Sequence, residues 1–229
     1  MTPQLTPKQH LNKSVYEKIK NEIINFTLKP GQKLLDRHLA LQFGVSRTPV
    51  REALNGLVQE GFVRQNPGQG YFVKEISIKN IEDLYEVRKA LEILAAQMAV
   101  RNINNNQIKR LSEILKRHRK LIQNGLFSSS LLEEADFHKT IASGSGNQYL
   151  FEIISTIFDK ISTYRGIGTL TLKRKKIAFQ EHEEIFKSLK EKDTQRLKKI
   201  LENHISDAKR DAIERAKKET DILYLGYHS

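Results

Sequence analysis

Cysteine is absent from the 229 residues, so disulfides and thiolate-held metals are excluded and any metal must be held by histidine and carboxylate. No apolar run approaches the roughly 20 residues needed to cross a bilayer. Met1 to His10 also lacks the apolar core of a signal peptide. The expectation is a cytoplasmic protein that does not engage a membrane. Internal repeats are lacking too, and the biased tracts Asn104-Asn105-Asn106 and Ser128-Ser129-Ser130 both suit helix starts. Acidic residues are outnumbered, 27 Asp and Glu against 39 Lys and Arg, which leaves a formal net charge of +12 and favours a polyanionic partner. Both halves of the chain are basic, so charge alone does not say which half meets that partner. The length suffices for two modest domains, each able to bury a core.

What the chain does contain is a specific stretch, Val45-Ser46-Arg47-Thr48-Pro49-Val50-Arg51-Glu52-Ala53-Leu54. Ser46 is the expected N-cap, its hydroxyl accepting from a first-turn N–H, and Pro49 is tolerated because those N–H groups lack helical partners. Val50, Ala53, Leu54 and Leu57 recur at helical spacing and form the buried stripe, leaving Arg47, Thr48 and Arg51 to project from the opposite side. Taken alone, the stretch reads more simply as a surface helix with two solvated arginines. Its neighbours change that reading. Asp36 to Phe43 has a short helical pattern with Leu39, Ala40 and Phe43 inward, and Gly44 supplies a tight turn. Gly61 ends the second helix, and Phe62-Val63-Arg64 and Tyr71-Phe72-Val73 read as strands around Asn66-Pro67-Gly68-Gln69-Gly70. A helix-turn-helix with such a hairpin wing presents the N-terminal end of its second helix to the major groove.

The remaining segments complete the expected architecture: mostly α, with an N-terminal winged helix-turn-helix in residues 1–75 and an all-α antiparallel helical bundle in residues 80–229. Met1 to Pro7 reads as a loose arm. A helix follows from Leu11 to Leu28, with Val15, Ile19, Ile23 and Ile24 in its stripe, closed by Lys29-Pro30-Gly31. Lys74 to Lys79 joins the two domains. Asn80 is expected to cap a helix running to about Asn102, with Leu84, Val87, Leu91, Leu94 and Met98 inward. A second bundle helix spans about Asn106 to Asn124. Ser130 and Glu133 form a capping box for a third, which ends at Gly144-Ser145-Gly146. Three more follow, from Asn147 to about Arg165, Leu172 to Lys190 and Asp193 to Lys218.

Seven histidines are present, and their helical neighbours sort them. His138, His182 and His204 each have apolar residues three or four positions away and are expected to point into the bundle. His118 lies among lysines and arginines and is expected on a solvated face, and His10 and His228 lie near the ends. A single histidine on an apolar face is usually a hydrogen-bonded core residue. Three on three helices of one bundle also suit a metal site, since imidazole is a common neutral ligand and facing helices are a usual place to build one. Glu134 stands one turn before His138 on the same face.

These motifs resemble known families. From Tyr16 to Val73, "KPGQKL...LALQFGVSRTPVREALNGLVQEGFVRQNPGQGYFV" is similar to the winged-helix domain of the GntR family of bacterial transcription regulators. The resemblance implies double-stranded operator DNA as partner, with Arg37, Ser46, Arg47, Thr48, Arg51, Gln69 and Gly70 at contacting positions. "LYEVRKALEILAAQMA", "EEADFHKTIASGSGNQYL", "EHEEIFKSL" and "ENHIS" resemble the FCD effector domain of the FadR branch, over Asn80 to about Arg215. Many members bind a divalent metal there through one aspartate and three histidines, which implies His138, His182 and His204, with Glu134 standing where those members have aspartate. Zinc, nickel or manganese would suit such ligands. The same resemblance implies a homodimer, a small carboxylate effector and, by family habit, repression. Arg88 falls at a pocket-facing position and has two readings, a bidentate partner for that carboxylate or a salt bridge to Glu92 at i+4. Tyr164 and Arg165 are further effector-binding candidates. Two other readings stay open: a metal-free regulator whose histidines line a ligand pocket, and a metal-dependent hydrolase or isomerase fused to a DNA-binding domain.

Overall fold

Val15, Ile19 and Ile23 recur at one-turn spacing along α1 (Pro7–Ile24), and all three are buried. The helix begins and ends about four residues earlier than its stripe suggests. Proline is well placed in a first turn, where its missing N–H has no helical role. At the far end the chain turns back, with the Leu28 N–H donating to the Glu22 carbonyl at 3.0 Å. The computed structural model describes residues 7–25, 27–75, 77–164 and 171–226, which fall into two units, Met1–Ile76 and Ser77–Ser229.

In the first unit, β1 (Lys33–Leu34), α2 (Asp36–Phe43), α3 (Arg47–Glu60), β2 (Val63–Asn66) and β3 (Gly70–Val73) follow α1. The sheet has order β1-β3-β2, all antiparallel, with Val63 opposite Val73 and Asn66 opposite Gly70. β1 is too short for a sequence pattern to reveal; it forms because Lys33 and Leu34 pair with Phe72 and Tyr71. Val50, Ala53, Leu54 and Leu57 of α3 are buried against α1, α2 and β2, as their spacing requires. Gly44 ends α2 at φ 66°, a left-handed conformation that lets the Val45 N–H reach back to the Ala40 carbonyl at 3.0 Å. Only glycine adopts this backbone without a steric penalty.

The second unit is the expected helical bundle. α4 (Ile78–Asn102), α5 (Asn105–Gln123), α6 (Phe127–Gly144), α7 (Gln148–Tyr164), α8 (Leu172–Lys190) and α9 (Thr194–Gly226) run in order, with α4 packed against α6, α7, α8 and α9. Two helix starts differ from expectation. Ser77, not Asn80, caps α4, its hydroxyl accepting from the Asn80 N–H at 3.1 Å. α6 starts at Phe127, because the Ser130 N–H already donates to the Leu126 carbonyl and places Ser130 inside the helix. The capping box instead opens α5, where Asn104 and Gln107 exchange side-chain and backbone bonds.

The largest departure concerns the faces of α4. Its buried residues are Ile81, Tyr85, Arg88, Glu92, Ala95, Ala96, Ala99 and Val100. Val87 and Leu94, expected inward, are 49% and 46% exposed. The bundle buries small alanines, which allow helices to approach closely, together with the Arg88 and Glu92 pair. Leu91 and Met98, also expected inward, are partly buried and pack against the cluster of Ala95, Ala135, Ala142, Leu150, Ile154 and Phe158.

Candidate functional site

The second helix of the helix-turn-helix places its polar residues where the sequence puts them. Ser46, Arg47, Thr48 and Arg51 are exposed at the start of α3, and Arg37 is exposed on α2. Ser46 occupies the N-cap with extended backbone, φ −71° and ψ 168°, yet its side chain makes no capping bond, so the expected hydroxyl cap is absent. Arg47 donates to Asp36 at 2.9 Å and is thereby held on the protein surface. At the wing tip Gln69 is exposed, and its side-chain oxygen accepts from Asn66 Nδ2 at 3.1 Å; Gly70 opens β3.

In the bundle, Glu134, His138, His182 and His204 come together from α6, α8 and α9, with one ligand atom from each lying within 4.8 Å of all the others. The three histidines are buried. His138 Nε2 is 3.2 Å from His182 Nε2, which is 3.3 Å from His204 Nε2. Two nitrogens each about 2.0–2.1 Å from one tetrahedral metal stand about 3.3 Å apart, so this spacing fits shared coordination.

The other ring nitrogens fix which atoms face inward. His138 Nδ1 lies 2.5 Å from Glu92 Oε2, and His204 Nδ1 lies 2.7 Å from Glu181 Oε2. A carboxylate at Nδ1 selects the tautomer with its proton there, which leaves lone pairs on both Nε2 atoms. His182 Nε2 sits between those lone pairs, and one proton on it can satisfy only one neighbour. A lone pair facing another lone pair in a buried site is unfavourable, and a cation at the centre resolves all three. The donor set therefore fits a divalent metal. Protonation does not supply that cation: burial first, then the neighbouring His204 and His138, hold His182 well below the usual imidazole range. Burial also lowers His138, against the opposing pull of Glu92.

Glu92 and Glu181 were not foreseen as orienting groups, although each is acidic on a helix face otherwise turned inward. Burial alone would raise the Glu92 carboxyl, but Arg88 and His138 outweigh it and hold it at about 2. His118 overturns its expected solvated place: it is 3% exposed, edge-on to Phe179 and 5.6 Å ring to ring from His182. The basic run around it misleads because Lys116, Arg117, Arg119 and Lys120 line the exposed side of α5 while His118 turns toward α8.

Arg88 is fully buried and satisfies both of its sequence readings in part. Its Nε donates to Glu92 Oε1 at 2.5 Å, while Nη1 and Nη2 have no hydrogen-bond partner among the described residues. Its guanidinium lies 4.7 Å from the Phe158 ring centroid and 5.2 Å from that of Tyr85. A buried guanidinium with two unused donors is costly unless an acceptor reaches it. Tyr164 ends α7 with its side chain outside the described residues, and Arg165 lies outside them altogether.

A winged helix-turn-helix and a separate all-helical unit with a buried polar centre together define a DNA-binding regulator of the one-chain type. The chain belongs to the gntR family of bacterial regulatory proteins, whose model matches residues 11–73, and carries an FCD domain, matched over residues 83–207. It is 31% identical over 190 residues to the HTH-type transcriptional regulator LutR of Bacillus subtilis, covering 73% of this chain and 85% of that one. The HTH-type transcriptional repressor RspR of Escherichia coli is 24% identical over 204 residues, covering 89% and 90%. Among solved structures, E. coli McbR/YncC shares the fold with a TM-score of 0.76 and 23% identity, over 98% of this chain and 100% of that one. These relatives are transcriptional regulators, and this chain is a DNA-binding transcriptional regulator of the same type. Among the described residues no helix is long and apolar enough to cross a membrane.

Proposed function

We propose that the protein is a metal-containing, ligand-responsive repressor that binds an inverted-repeat operator as a homodimer. Residues 1–75 read the DNA through Arg37, Ser46, Arg47, Thr48, Arg51, Gln69 and Gly70. Residues 80–229 sense a small carboxylate. One winged helix spans a short half-site, so useful specificity requires two copies. Repression is supported by the name of the E. coli relative, a transcriptional repressor.

The observation that carries the sensing half is the convergence of three Nε2 atoms, with the Nδ1 atoms of His138 and His204 facing carboxylates. Glu134, His138, His182 and His204 would hold zinc, nickel or manganese. Bound there, the ion supplies an electrophilic position for a carboxylate oxygen. Arg88 supplies the second anchor, because its two unpartnered Nη groups match the fork of a carboxylate. Tyr164 and Arg165 complete the set of effector contacts by family resemblance.

The test is elemental analysis of untagged wild type beside His182→Ala, together with mobility shifts on a fragment of the promoter upstream of its own gene. Wild type should carry about one divalent ion per chain and the variant none, with both folded. A panel of small carboxylates should alter DNA binding of the metal-loaded form. Metal-free wild type would sink the metal reading, and failure to bind any inverted repeat at moderate salt would sink the DNA reading.

A further inference from the structure

Arg88 is not the only cation buried in the helical unit. Lys175, near the start of α8, is 7% exposed, whereas Lys173 and Lys176 on either side are exposed. It stands four residues before Phe179 and seven before His182, and the three share the buried face of α8. Seven residues are about two turns, which puts Lys175 about 10 Å along the helix from the level of His182. The neighbouring Arg174 fastens this turn to α9, its Nε donating to Asp211 at 2.6 Å and its Nη1 to Glu181 at 3.3 Å. Arg215 stands one turn beyond Asp211, bonded through Nε to the Asp211 carbonyl at 3.1 Å. It follows His204 by eleven residues, about three turns along the same face of α9.

Two cations at one level of a bundle repel, and burial removes the water that would screen them. Burial first, then Arg215, lower the Lys175 ammonium from the ordinary lysine value, and Glu134 draws it the other way. The charge of Glu134 also reaches Arg88. One carboxylate is thus shared between two buried cations, and it is the same carboxylate that an ion in the histidine cluster would claim. With that ion bound, this end of the bundle core carries an excess of positive charge, which an anionic group on a ligand can offset. We propose that Lys175 is a second anionic anchor of the sensor and that the effector is a short dicarboxylate, one carboxylate lying at the metal and Arg88 and the other at Lys175. Lysine suits the outer position, because its flexible stem and point charge accept an anion from several directions, where the Arg88 fork fixes one. A monocarboxylate would leave the Lys175 end uncompensated.

The inference deepens the carboxylate-sensing reading given above and rests on it. The test is calorimetric titration of the full, metal-loaded chain with butanoate, pentanoate and hexanoate, and with the diacids of the same carbon number, succinate, glutarate and adipate. Wild type should bind at least one diacid more tightly than its monoacid counterpart by at least about 10-fold, the worth of one charge-assisted contact. Lys175→Met keeps the stem and removes the charge, so it should erase that preference while the protein retains its metal. A lysine with a structural role alone would give a variant that melts lower with its diacid preference intact. That result would overturn the proposal, as would a wild type indifferent to the second carboxylate. The wild-type comparison keeps the proposal open to refutation even if Lys175→Met fails to fold. If no acid of either series binds the loaded protein, the sensing reading itself falls, and this inference with it.

Discussion

Stripping the metal from the histidine cluster should lower the melting temperature of the helical unit, and the size of the change follows from the structure. The ligand atoms come from α6, α8 and α9, so a bound ion joins three helices that unfolding separates, and binding free energy adds to folding free energy. At free metal 100 times its dissociation constant the gain is about 2.7 kcal/mol. For a unit of roughly 150 residues each kcal/mol moves the midpoint by about 2–4 °C, which gives a shift of about 5–11 °C. Calorimetry on metal-loaded and chelator-treated protein measures it. The transition of the helical unit should move and that of the winged helix should stay. His182→Ala should melt lower than wild type even without metal, since it loses a fully buried ring, and should gain nothing when metal is added. His118→Ala should keep the metal-dependent gain, because its ring meets Phe179 and His182 without joining the converging nitrogens. Loaded wild type that melts at the same temperature with and without chelator would refute the reasoning.

The other expectations are shorter. Arg51→Ala should weaken operator binding by about 1–3 kcal/mol and relax specificity if it reads a base, or weaken all sequences alike if it meets a phosphate; fluorescence anisotropy on specific and scrambled duplexes separates the two, and no loss on either rejects the α3 assignment. Asp36→Asn should tighten DNA binding at low salt, because Arg47 must leave Asp36 to reach the duplex; unchanged affinity would show that Arg47 stays where it is. Gly44→Ala should cost about 1–2 kcal/mol through the left-handed backbone alone, since a methyl there meets nothing within 4 Å; a variant as stable as wild type in urea would contradict this. Arg88→Lys keeps the buried charge but loses the planar fork, so carboxylate affinity should fall at least about 10-fold with metal content unchanged, and equal affinity by calorimetric titration would remove Arg88 from the effector site.

The helix-turn-helix was legible because each of its parts has a local cause. Gly44 and Gly61 mark helix ends by backbone conformation, and the α3 stripe has one apolar face and one polar face. The histidine positions were legible for the same reason, each being polar within an apolar periodicity. α4 was legible only in part, because periodicity favours the larger side chains: Leu91 and Met98 do pack on the core, whereas Val87 and Leu94 are exposed. Which residues turn inward is decided by close packing of Ala95, Ala96 and Ala99 and by the contacts of Arg88 with Phe158 on α7 and of Glu92 with His138 on α6. His118 was misplaced by averaging over its neighbours, although a one-residue step on a helix turns the side chain by about 100°. Ser46 shows the opposite limit: its place as N-cap is set by sequence, whereas its rotamer is not.

α4 is the helix on which the proposed sensor acts most directly. Its inner face reaches the histidine cluster through Glu92, which lies against both Arg88 and His138, and its outer face exposes Val87 and Leu94. A carboxylate that draws on Arg88 therefore acts on a helix packed against α6, α7, α8 and α9, through which it can reach the proposed dimer. Coupling of this kind is reciprocal: whatever factor the metal and carboxylate apply to the dimer dissociation constant, dimerisation must apply to their affinity, and such factors are typically about 5–150-fold. Sedimentation with and without metal and carboxylate gives one arm, and ligand titration at protein concentrations above and below the dimer constant gives the other. Equal factors of at least about 5 in the two arms are expected. Ligands that raise the melting temperature yet leave the dimer constant unmoved would show that α4 does not carry the signal, and that the response must leave the sensor by another helix.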